Sequence, residues 1–212
     1  MTIYAVKECF LTLQGEGAQT GRAAIFLRFA GCNLWSGLER DRASAACDFC
    51  DTDFVGVDGP GGGKFSGADA LVDHAAALWP RESSARPLIV CTGGEPLLQL
   101  DDALIDALHA RGFEVAVETN GTIAAPEGLD WICVSPKGEN ALKQKSGDEL
   151  KLVYPQADAP PERFEALPFT HFFLQPMDGA EREANTARAI DYCLKNPKWR
   201  LSLQTHKLIG IP

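Results

Sequence analysis

The sequence contains no apolar run long enough to cross a membrane, and its first residues lack the apolar core of a secretory signal. We therefore expect a cytoplasmic protein without a membrane partner, in a compartment that keeps cysteines reduced. The chain also lacks an excess of basic residues, since its formal net charge is −9. Because phosphate contacts need a basic face, nucleic acid is not an expected partner.

No internal repeat divides the chain. At 212 residues it is large enough to bury a core without disulfides, and we expect a single domain over residues 1–212. The glycine-rich stretch 56–67 is interpreted as a flexible linker. It is not a phosphate loop, because Phe65 follows Lys64 where such a loop has Ser or Thr.

Strand-like apolar segments alternate with helical ones along the chain. Strands are predicted over residues 24–29, 87–92, 114–120, 131–135, 149–154, 171–175 and 199–204, and helices over 66–79, 101–111 and 180–195, the first with a capping box of Ser66 and Asp69. Strand–helix alternation indicates parallel strands with right-handed crossovers. About six such strands are too few for an eight-stranded barrel. We therefore expect an α/β fold, an open, partial parallel β/α barrel.

Polar or glycine-rich residues follow five of these strands. The carboxyl ends of parallel strands meet at one edge of the sheet, so these segments predict a single pocket. They are Gly31-Cys32-Asn33, Thr92-Gly93-Gly94-Glu95, Glu118-Thr119-Asn120, Ser135-Pro136-Lys137 and Gln175-Pro176-Met177-Asp178.

Three cysteines come shortly after the first predicted strand. Fourteen residues separate Cys32 from Cys47, and two separate Cys47 from Cys50. Three thiolates on a [4Fe–4S] cube leave one iron free for another ligand. The alternatives are a redox pair at Cys47 and Cys50, a zinc site with a fourth ligand that no second Cys or His pair supplies, or plain packing. The remaining cysteines are interpreted as buried thiols: Cys9, Cys91, Cys133 and Cys193.

The three-cysteine loop, with Gly93-Gly94-Glu95-Pro96 after the second predicted strand, resembles the radical S-adenosylmethionine superfamily. Motifs near both ends of the chain resemble one family within it, the 7-carboxy-7-deazaguanine synthases, which build the ring system of queuosine-type 7-deazapurines. These motifs are Phe10-Leu11-Thr12-Leu13-Gln14-Gly15-Glu16-Gly17, Arg28-Phe29-Ala30-Gly31-Cys32-Asn33-Leu34, Cys50-Asp51-Thr52-Asp53-Phe54 and Gln204-Thr205-His206-Lys207. One departure is the spacing of the first two cysteines, since the superfamily usually has three residues there. We interpret residues 33–46 as a polar insertion whose ends remain close.

The resemblance implies a radical S-adenosylmethionine core with a [4Fe–4S] cluster on Cys32, Cys47 and Cys50, and S-adenosylmethionine on the fourth iron. Cleavage of that cofactor would give a 5′-deoxyadenosyl radical. Cofactor contacts are implied for Phe49, Gly94, Glu95, Ser135, Pro136, Lys137, Gln175, Pro176, Met177 and Asp178, of which Gly94 and Glu95 would receive the methionine amine. Thr52 would bind Mg²⁺.

The implied substrate is 6-carboxy-5,6,7,8-tetrahydropterin, whose ring would contract with loss of ammonia, a carbon–nitrogen lyase reaction that regenerates S-adenosylmethionine. Substrate contacts are implied for Leu13, Gln14, Gly15, Glu16, Arg28, Thr92, His206 and Pro212. Arg28 would pair with the substrate carboxylate through two parallel hydrogen bonds. Glu118 is the catalytic candidate, as a group that moves a proton, with a hydrogen-bond anchor as the alternative. The Pro212 carboxylate is expected to reach the site.

The resemblance also implies a homodimer and an electron-donor protein such as a flavodoxin. Two other functions remain open at this point. One is an activating enzyme of the same superfamily that acts on a protein radical site. The other is a zinc-binding module without catalysis.

Overall fold

The computed structural model describes residues 2–212, and within them nine strands form one sheet. Along the sheet the strands lie in the order β3-β1-β2-β4-β5-β6-β7-β8-β9, so the sheet is open. The strands are β1 (Ile3–Leu13), β2 (Ala23–Phe29), β3 (Gly63–Ser66), β4 (Leu88–Gly93), β5 (Glu114–Thr119), β6 (Trp131–Val134), β7 (Gly147–Tyr154), β8 (Phe169–Pro176) and β9 (Trp199–Leu201). The α-helices are α1 (Ala68–Ala76), α2 (Asp102–Ala110), α3 (Arg182–Lys195) and α4 (Thr205–Ile209), and 3₁₀ turns cover Gly17–Gln19, Glu39–Ser44, Pro96–Leu98 and Pro161–Arg163.

Most neighbouring strands are parallel, which confirms the predicted open α/β fold. β2 pairs with β4 in parallel, and every later pair up to β9 is parallel too. The expected number of about six strands was too low: the parallel part of the sheet has seven, and β1 and β3 add an antiparallel extension at one edge. Both were missed. β3 pairs with the start of β1, a segment distant in sequence, and a local pattern does not reveal such pairing.

The two faces of the sheet bury different side chains. Ile89 and Cys91 of β4 point to the face that α1 and α2 cover. Leu88 and Val90 alternate with them and pack with Ala116 on the opposite face. A second helix-side core surrounds α3 and includes Leu150, Leu152, Phe172, Leu174 and Trp199. Because side chains alternate along a strand, Arg28, Thr92 and Glu118 continue the opposite face towards the strand ends.

Several predicted boundaries and one predicted cap were wrong. Ser66 is the last residue of β3, and α1 has Gly67 as its N-cap, with a φ of 86° and no side-chain cap hydrogen bond. The last predicted strand stops at Leu201, because the chain turns into α4 at Thr205. The last long helix begins at Arg182 rather than at residue 180.

The glycine-rich stretch 56–67 is not a flexible linker. It contains β3 and a turn packed against β1. The Gly59 amide donates to the Lys7 carbonyl at 2.9 Å, and a Cβ added at Gly62 would lie 2.3 Å from the same oxygen. Glycine is needed there because β1 passes so close.

All seven cysteines lie among the described residues, and none forms a disulfide. Cys9, Cys91 and Cys133 are buried as predicted, whereas Cys193 on α3 is only partly buried. Among residues 2–212, no helix has both the length and the apolar character needed to span a bilayer.

Candidate active site

A cavity of about 400 Å³ lies on the face of the sheet opposite the α1 and α2 core. The structure brings most of the predicted site residues to its wall. They are Leu13, Gln14, Gly15, Glu16, Arg28, Phe49, Cys50, Thr52, Thr92, Gly94, Glu118, Ser135, Lys137, Gln175, Pro176, Met177, Asp178, His206 and Pro212. Four others do not line the cavity: Cys32, Cys47, Glu95 and Pro136. Residues after β4, β5, β6 and β8 therefore share one site, while the turn after β2 borders it.

The three cysteines of the predicted cluster loop lie close to one another. Burial raises the pKa of the Cys47 thiol to about 11; Lys137 opposes this rise, and the charges of Cys50 and Cys32 add to it. In the part of the chain that the structure describes, no group of three His, Cys, Asp or Glu side chains converges to hold a single metal ion. Cube ligands each bind a different iron and need not converge on one point. The donor set fits a cluster better than a structural zinc site.

The turn after β4 contacts the turn that carries Cys32. A Cβ added at Gly94 would lie 2.2 Å from the Gly31 oxygen and 2.7 Å from the Cys32 Cβ, so only glycine fits. The Glu95 amide donates to the same Gly31 oxygen at 2.9 Å. Main-chain atoms of the Gly-Gly-Glu-Pro segment therefore lie directly beside the first cysteine.

The Glu95 side chain is fully buried and already has its partners. Its Oε1 accepts from Thr119 Oγ1 at 2.7 Å and from the Leu97 amide at 3.0 Å, and its Oε2 accepts from the Asn120 amide at 2.8 Å. Burial raises the pKa of this carboxyl, and these donors oppose the rise. The observed contacts tie the β4 turn to the β5 turn. Reception of an amine by Glu95 stays a prediction, and the contacts place its carboxylate behind the cavity wall.

Lys151 of β7 is a buried cation that sequence reasoning missed. Its side chain is 4% exposed, and its Nζ lies 2.6 Å from Glu16 Oε2 and 2.7 Å from Glu118 Oε2. Burial alone would lower the pKa of Lys151, but the surrounding Cys133 thiol and carboxylates outweigh it and raise that pKa. For Glu16 the effects are reversed: burial would raise the pKa of its carboxyl, but the charge of Lys151 outweighs burial and holds that pKa at about 2. One lysine thus joins the predicted catalytic residue to a predicted substrate contact.

Glu149, two residues before Lys151 on the same face, holds the turn after β1 in place. Its Oε2 accepts from the Ala18 amide at 2.8 Å, and its Oε1 accepts from Cys133 Sγ at 3.6 Å. A Cβ at Gly17 would lie 1.9 Å from that Oε1. The sequence signal for this cluster was the pair of charges Glu149 and Lys151, two residues apart and alternating with Leu150 and Leu152.

Gln14 and Arg28 reach the cavity from β1 and β2. Gln14 Nε2 donates to Glu118 Oε1 at 3.2 Å, and Gln14 Oε1 accepts from the Glu16 amide at 3.1 Å. Arg28 Nε donates to Glu8 Oε1 at 2.7 Å. Within residues 2–212 its guanidinium forms no other hydrogen bond. The terminal nitrogens of Arg28 remain free to meet an anion.

The segment after β9 covers the cavity at the turn after β1. The Gly15 oxygen accepts from the Thr205 amide at 2.9 Å and from Thr205 Oγ1 at 2.8 Å. The Pro212 oxygen accepts from Thr12 Oγ1 at 2.8 Å. Burial lowers the pKa of His206, and the Glu16 carboxylate opposes this.

Lys207 was quoted in a family motif without a role, and the structure supplies contacts for it. Its Nζ lies 2.5 Å from Asp51 Oδ2 and 2.6 Å from Asp178 Oδ2. Asp51 follows the last predicted cluster ligand, and Asp178 follows β8. The lysine therefore links the cysteine loop, the β8 turn and α4 around one opening.

Thr52 and the β6 turn complete the wall. The described residues form no hydrogen bond with the Thr52 hydroxyl, and a single hydroxyl does not define a magnesium site, so that assignment stays a prediction. Lys137 Nζ donates to Ser135 Oγ within the β6 turn. The Pro136 oxygen accepts from Gln156 Nε2 at 3.3 Å and faces away from the cavity.

Gly15 is a position where a single methyl group should be disruptive. A Cβ there would lie 2.2 Å from His206 Nδ1, so we expect Gly15→Ala to displace His206 and destabilise the fold by about 1–3 kcal/mol, because overpacking forces neighbours to move. Chemical denaturation measures this loss. Gly63→Ala is the matched control, since neither glycine has a positive φ and the nearest atom to a Cβ at Gly63 is 3.6 Å away.

The side chain of His206 should account for this loss. Adding His206→Ala to Gly15→Ala removes the clashing ring, so the double variant should show a clear coupling energy. Additive losses would mean that the methyl group acts elsewhere.

Comparisons with known proteins give full-length matches. The chain is 69% identical over 208 residues to the 7-carboxy-7-deazaguanine synthase of Bradyrhizobium diazoefficiens, over 98% of this chain and 99% of that protein. It is 66% identical over 209 residues to the 7-carboxy-7-deazaguanine synthase of Bordetella pertussis, over 99% of each chain. A scan against models of protein families matched none.

The fold has a solved counterpart. A crystal structure of QueE from Escherichia coli superposes with a TM-score of 0.71 at 27% identity, over 95% of this chain and 93% of that one. Its likeness supports the radical S-adenosylmethionine fold that the sequence predicts. Together with the full-length relatives, it shows that the chain belongs to the 7-carboxy-7-deazaguanine synthase family.

Proposed function

We propose that this chain converts 6-carboxy-5,6,7,8-tetrahydropterin to 7-carboxy-7-deazaguanine with loss of ammonia, as a carbon–nitrogen lyase in 7-deazapurine biosynthesis. The observation that carries the proposal is one cavity whose wall contains Cys50 and Gly94 together with Arg28, Gln14 and Glu118. Membership of the synthase family supports the same reaction.

The donor set supports an iron–sulfur cluster on Cys32, Cys47 and Cys50. When bound, this cluster and S-adenosylmethionine supply a carbon-centred radical that can abstract hydrogen from a substrate. The glycine at position 94 lets the main chain after β4 pack directly against the turn that carries Cys32. Phe49, Ser135, Lys137, Gln175, Pro176, Met177 and Asp178 would form the remaining wall around the cofactor, and all of them line the cavity.

The substrate would lie between β1, β2 and β5. Arg28 would pair with its carboxylate through the guanidinium nitrogens that Glu8 leaves free. Gln14 and Glu16, with the neighbouring Leu13 and Gly15 main chain, would contact the amide edge of the pterin, and Thr92 and His206 would line its sides. Lys151 donates to Glu118 and so fixes the direction of that carboxylate towards the cavity.

Three finer parts of the proposal concern a metal ion and two protein partners. Thr52 would hold Mg²⁺, for which the support is a cavity-facing hydroxyl without a protein partner. A homodimer and a flavodoxin-like electron donor rest on the family resemblance. An activating enzyme would need a groove for a polypeptide, and the small cavity closed by the segment after β9 favours a small substrate.

Turnover tests the proposed function. The chain is purified without oxygen, reconstituted with iron and sulfide, and incubated with the carboxytetrahydropterin, S-adenosylmethionine, Mg²⁺ and a reductant. We expect 7-carboxy-7-deazaguanine by mass spectrometry and one ammonia for each product. A preparation that holds the cluster and cleaves S-adenosylmethionine, yet yields neither product, would contradict ring contraction.

Glu118→Gln tests the catalytic assignment. If this carboxylate moves a proton, kcat should fall by about 10²- to 10⁴-fold while the iron content stays normal. If it only anchors the substrate, KM should rise and kcat should persist. Glu114→Gln is the matched control, because Glu114 lies at the other end of β5, pairs with Arg22 and lies outside the cavity wall.

A further inference from the structure

The insertion at residues 33–46 folds back on itself before the second cysteine. The Ala46 amide donates to the Leu34 oxygen at 3.0 Å, so the two ends of the insertion meet. Between them lies the 3₁₀ turn Glu39–Ser44, which carries Arg42. The insertion is therefore an ordered element beside the cysteine loop.

The segment 47–52, which carries Cys47 and Cys50, has little order of its own. Within the described residues it has no regular secondary structure and no hydrogen bond between its main chain and another main-chain group. The side chain of Arg42 forms hydrogen bonds with this main chain instead. Its Nη1 donates to the Asp48 oxygen at 2.8 Å and to the Cys50 oxygen at 3.0 Å.

Arg42 is itself held by Trp35 and Glu39. Its guanidinium lies over the Trp35 ring, 4.1 Å from the centroid, and its Nε donates to both Glu39 oxygens, at 2.7 and 2.6 Å. Trp35 is buried and meets the buried Phe54 ring edge-on, with the centroids 5.6 Å apart. A continuous set of contacts therefore runs from the core, through the insertion, to the carbonyl groups of the cysteine loop.

We propose that Arg42 is a positioning residue that holds the Cys47–Cys50 loop in its ligand-binding conformation before the cluster is present. Ordering a loop in advance lowers the entropy cost of binding. Arginine suits this position because its planar guanidinium stacks on Trp35 while its edges donate to Glu39 and to two carbonyls. The inference rests on the proposed function only in taking the two thiols as cluster ligands.

Hydrogen exchange on the cluster-free protein tests the proposal directly. Amides of residues 47–52 should exchange faster in Arg42→Ala than in the parent chain, while the exchange of β4 and β5 stays the same. Arg42→Lys keeps the positive charge but loses the planar guanidinium with its several donors. In this variant the amides of residues 47–52 should exchange at an intermediate rate. Arg40→Ala is the matched control, because the Arg40 side chain is 78% exposed and its ion-pair partner is Asp41, 3.7 Å away.

Cluster retention supplies the second readout. Under a competing chelator, Arg42→Ala should hold iron about 10- to 100-fold more weakly than the parent chain, as expected when an outer contact of a metal ligand is lost. Exchange and iron retention in Arg42→Ala equal to those of Arg40→Ala would overturn the proposal. Failure of the proposed function is separate: the parent chain would hold its cluster and make no deazaguanine.

Discussion

Cys50→Ala is expected to remove the brown iron–sulfur chromophore and all product formation. Cys50 is the one predicted cluster ligand that lines the cavity, and its thiol lies near those of Cys32 and Cys47. A cube bound by two thiolates loses one of three protein anchors and is not expected to survive purification. Iron and sulfide analysis after anaerobic reconstitution, with the visible spectrum, measures the loss.

Cys193→Ala is the control for this change. Cys193 is a free, partly buried thiol on α3, in the hydrophobic core on the helix side of the sheet. That variant should keep its iron, its colour and its turnover. A Cys50→Ala protein that remains brown and active would contradict the cluster assignment. Zinc in place of iron and sulfide in the parent chain would favour the binding module instead.

Lys151→Met should have the second large effect, on stability and on activity together. The change removes the buried cation between Glu16 and Glu118 and leaves their carboxylates uncompensated beside Glu149. Breaking a buried ion pair from one side costs about 3–5 kcal/mol. Because Glu118 would also lose the donor that orients it, we expect turnover to fall even where the variant is folded.

The stability loss should depend on pH in a defined way. The pKa of Glu16 is lowered from 4.5 to about 2 in the folded chain, so its ionised form stabilises the fold fully above pH 4.5. That contribution disappears as the pH falls through about 2. The pKa of Lys151 is raised, so the contribution of its charged form to stability is complete below pH 10.5 and is lost only at more alkaline pH. The difference in unfolding free energy between the parent chain and Lys151→Met should therefore be largest near neutral pH and shrink below pH 4.5.

Two further variants make this test specific. Lys195→Met removes the same side chain from an exposed pair with Asp191 and should change the free energy of unfolding by less than about 1 kcal/mol. Adding Glu16→Gln to Lys151→Met removes one stranded carboxylate and should restore part of the lost stability. A pH-independent loss, or no recovery in the double variant, would contradict the role of the ion cluster.

The strand ends were the part of the site that the sequence could predict. Apolar runs such as Leu88–Gly93 end in polar or glycine residues, and parallel strands deliver those ends to one edge. The cavity wall confirms this geometry for the turns after β4, β5, β6 and β8. Gly94 lies in one of these turns, and its lack of a side chain permits the close contact with Gly31.

The missed features depend on contacts between distant segments. Lys151 resembles a surface charge in the sequence, and its burial follows only from the approach of Glu16 and Glu118, which belong to other parts of the chain. The protein partners of Glu95 were not predicted either: its carboxylate accepts from the Thr119 hydroxyl and the Asn120 amide, and its contact with a ligand amine stays a prediction. Local sequence patterns show where a strand ends, but they do not show which residue of another segment forms a hydrogen bond or ion pair with a given side chain.

A crystal structure of the reconstituted protein with S-adenosylmethionine and the carboxytetrahydropterin is the most direct test that one cavity serves cluster, cofactor and substrate. We predict the cluster on Cys32, Cys47 and Cys50, and the pterin beside Gln14 with its carboxylate at Arg28. Pterin density outside this cavity, or a cluster held by other cysteines, would contradict the account.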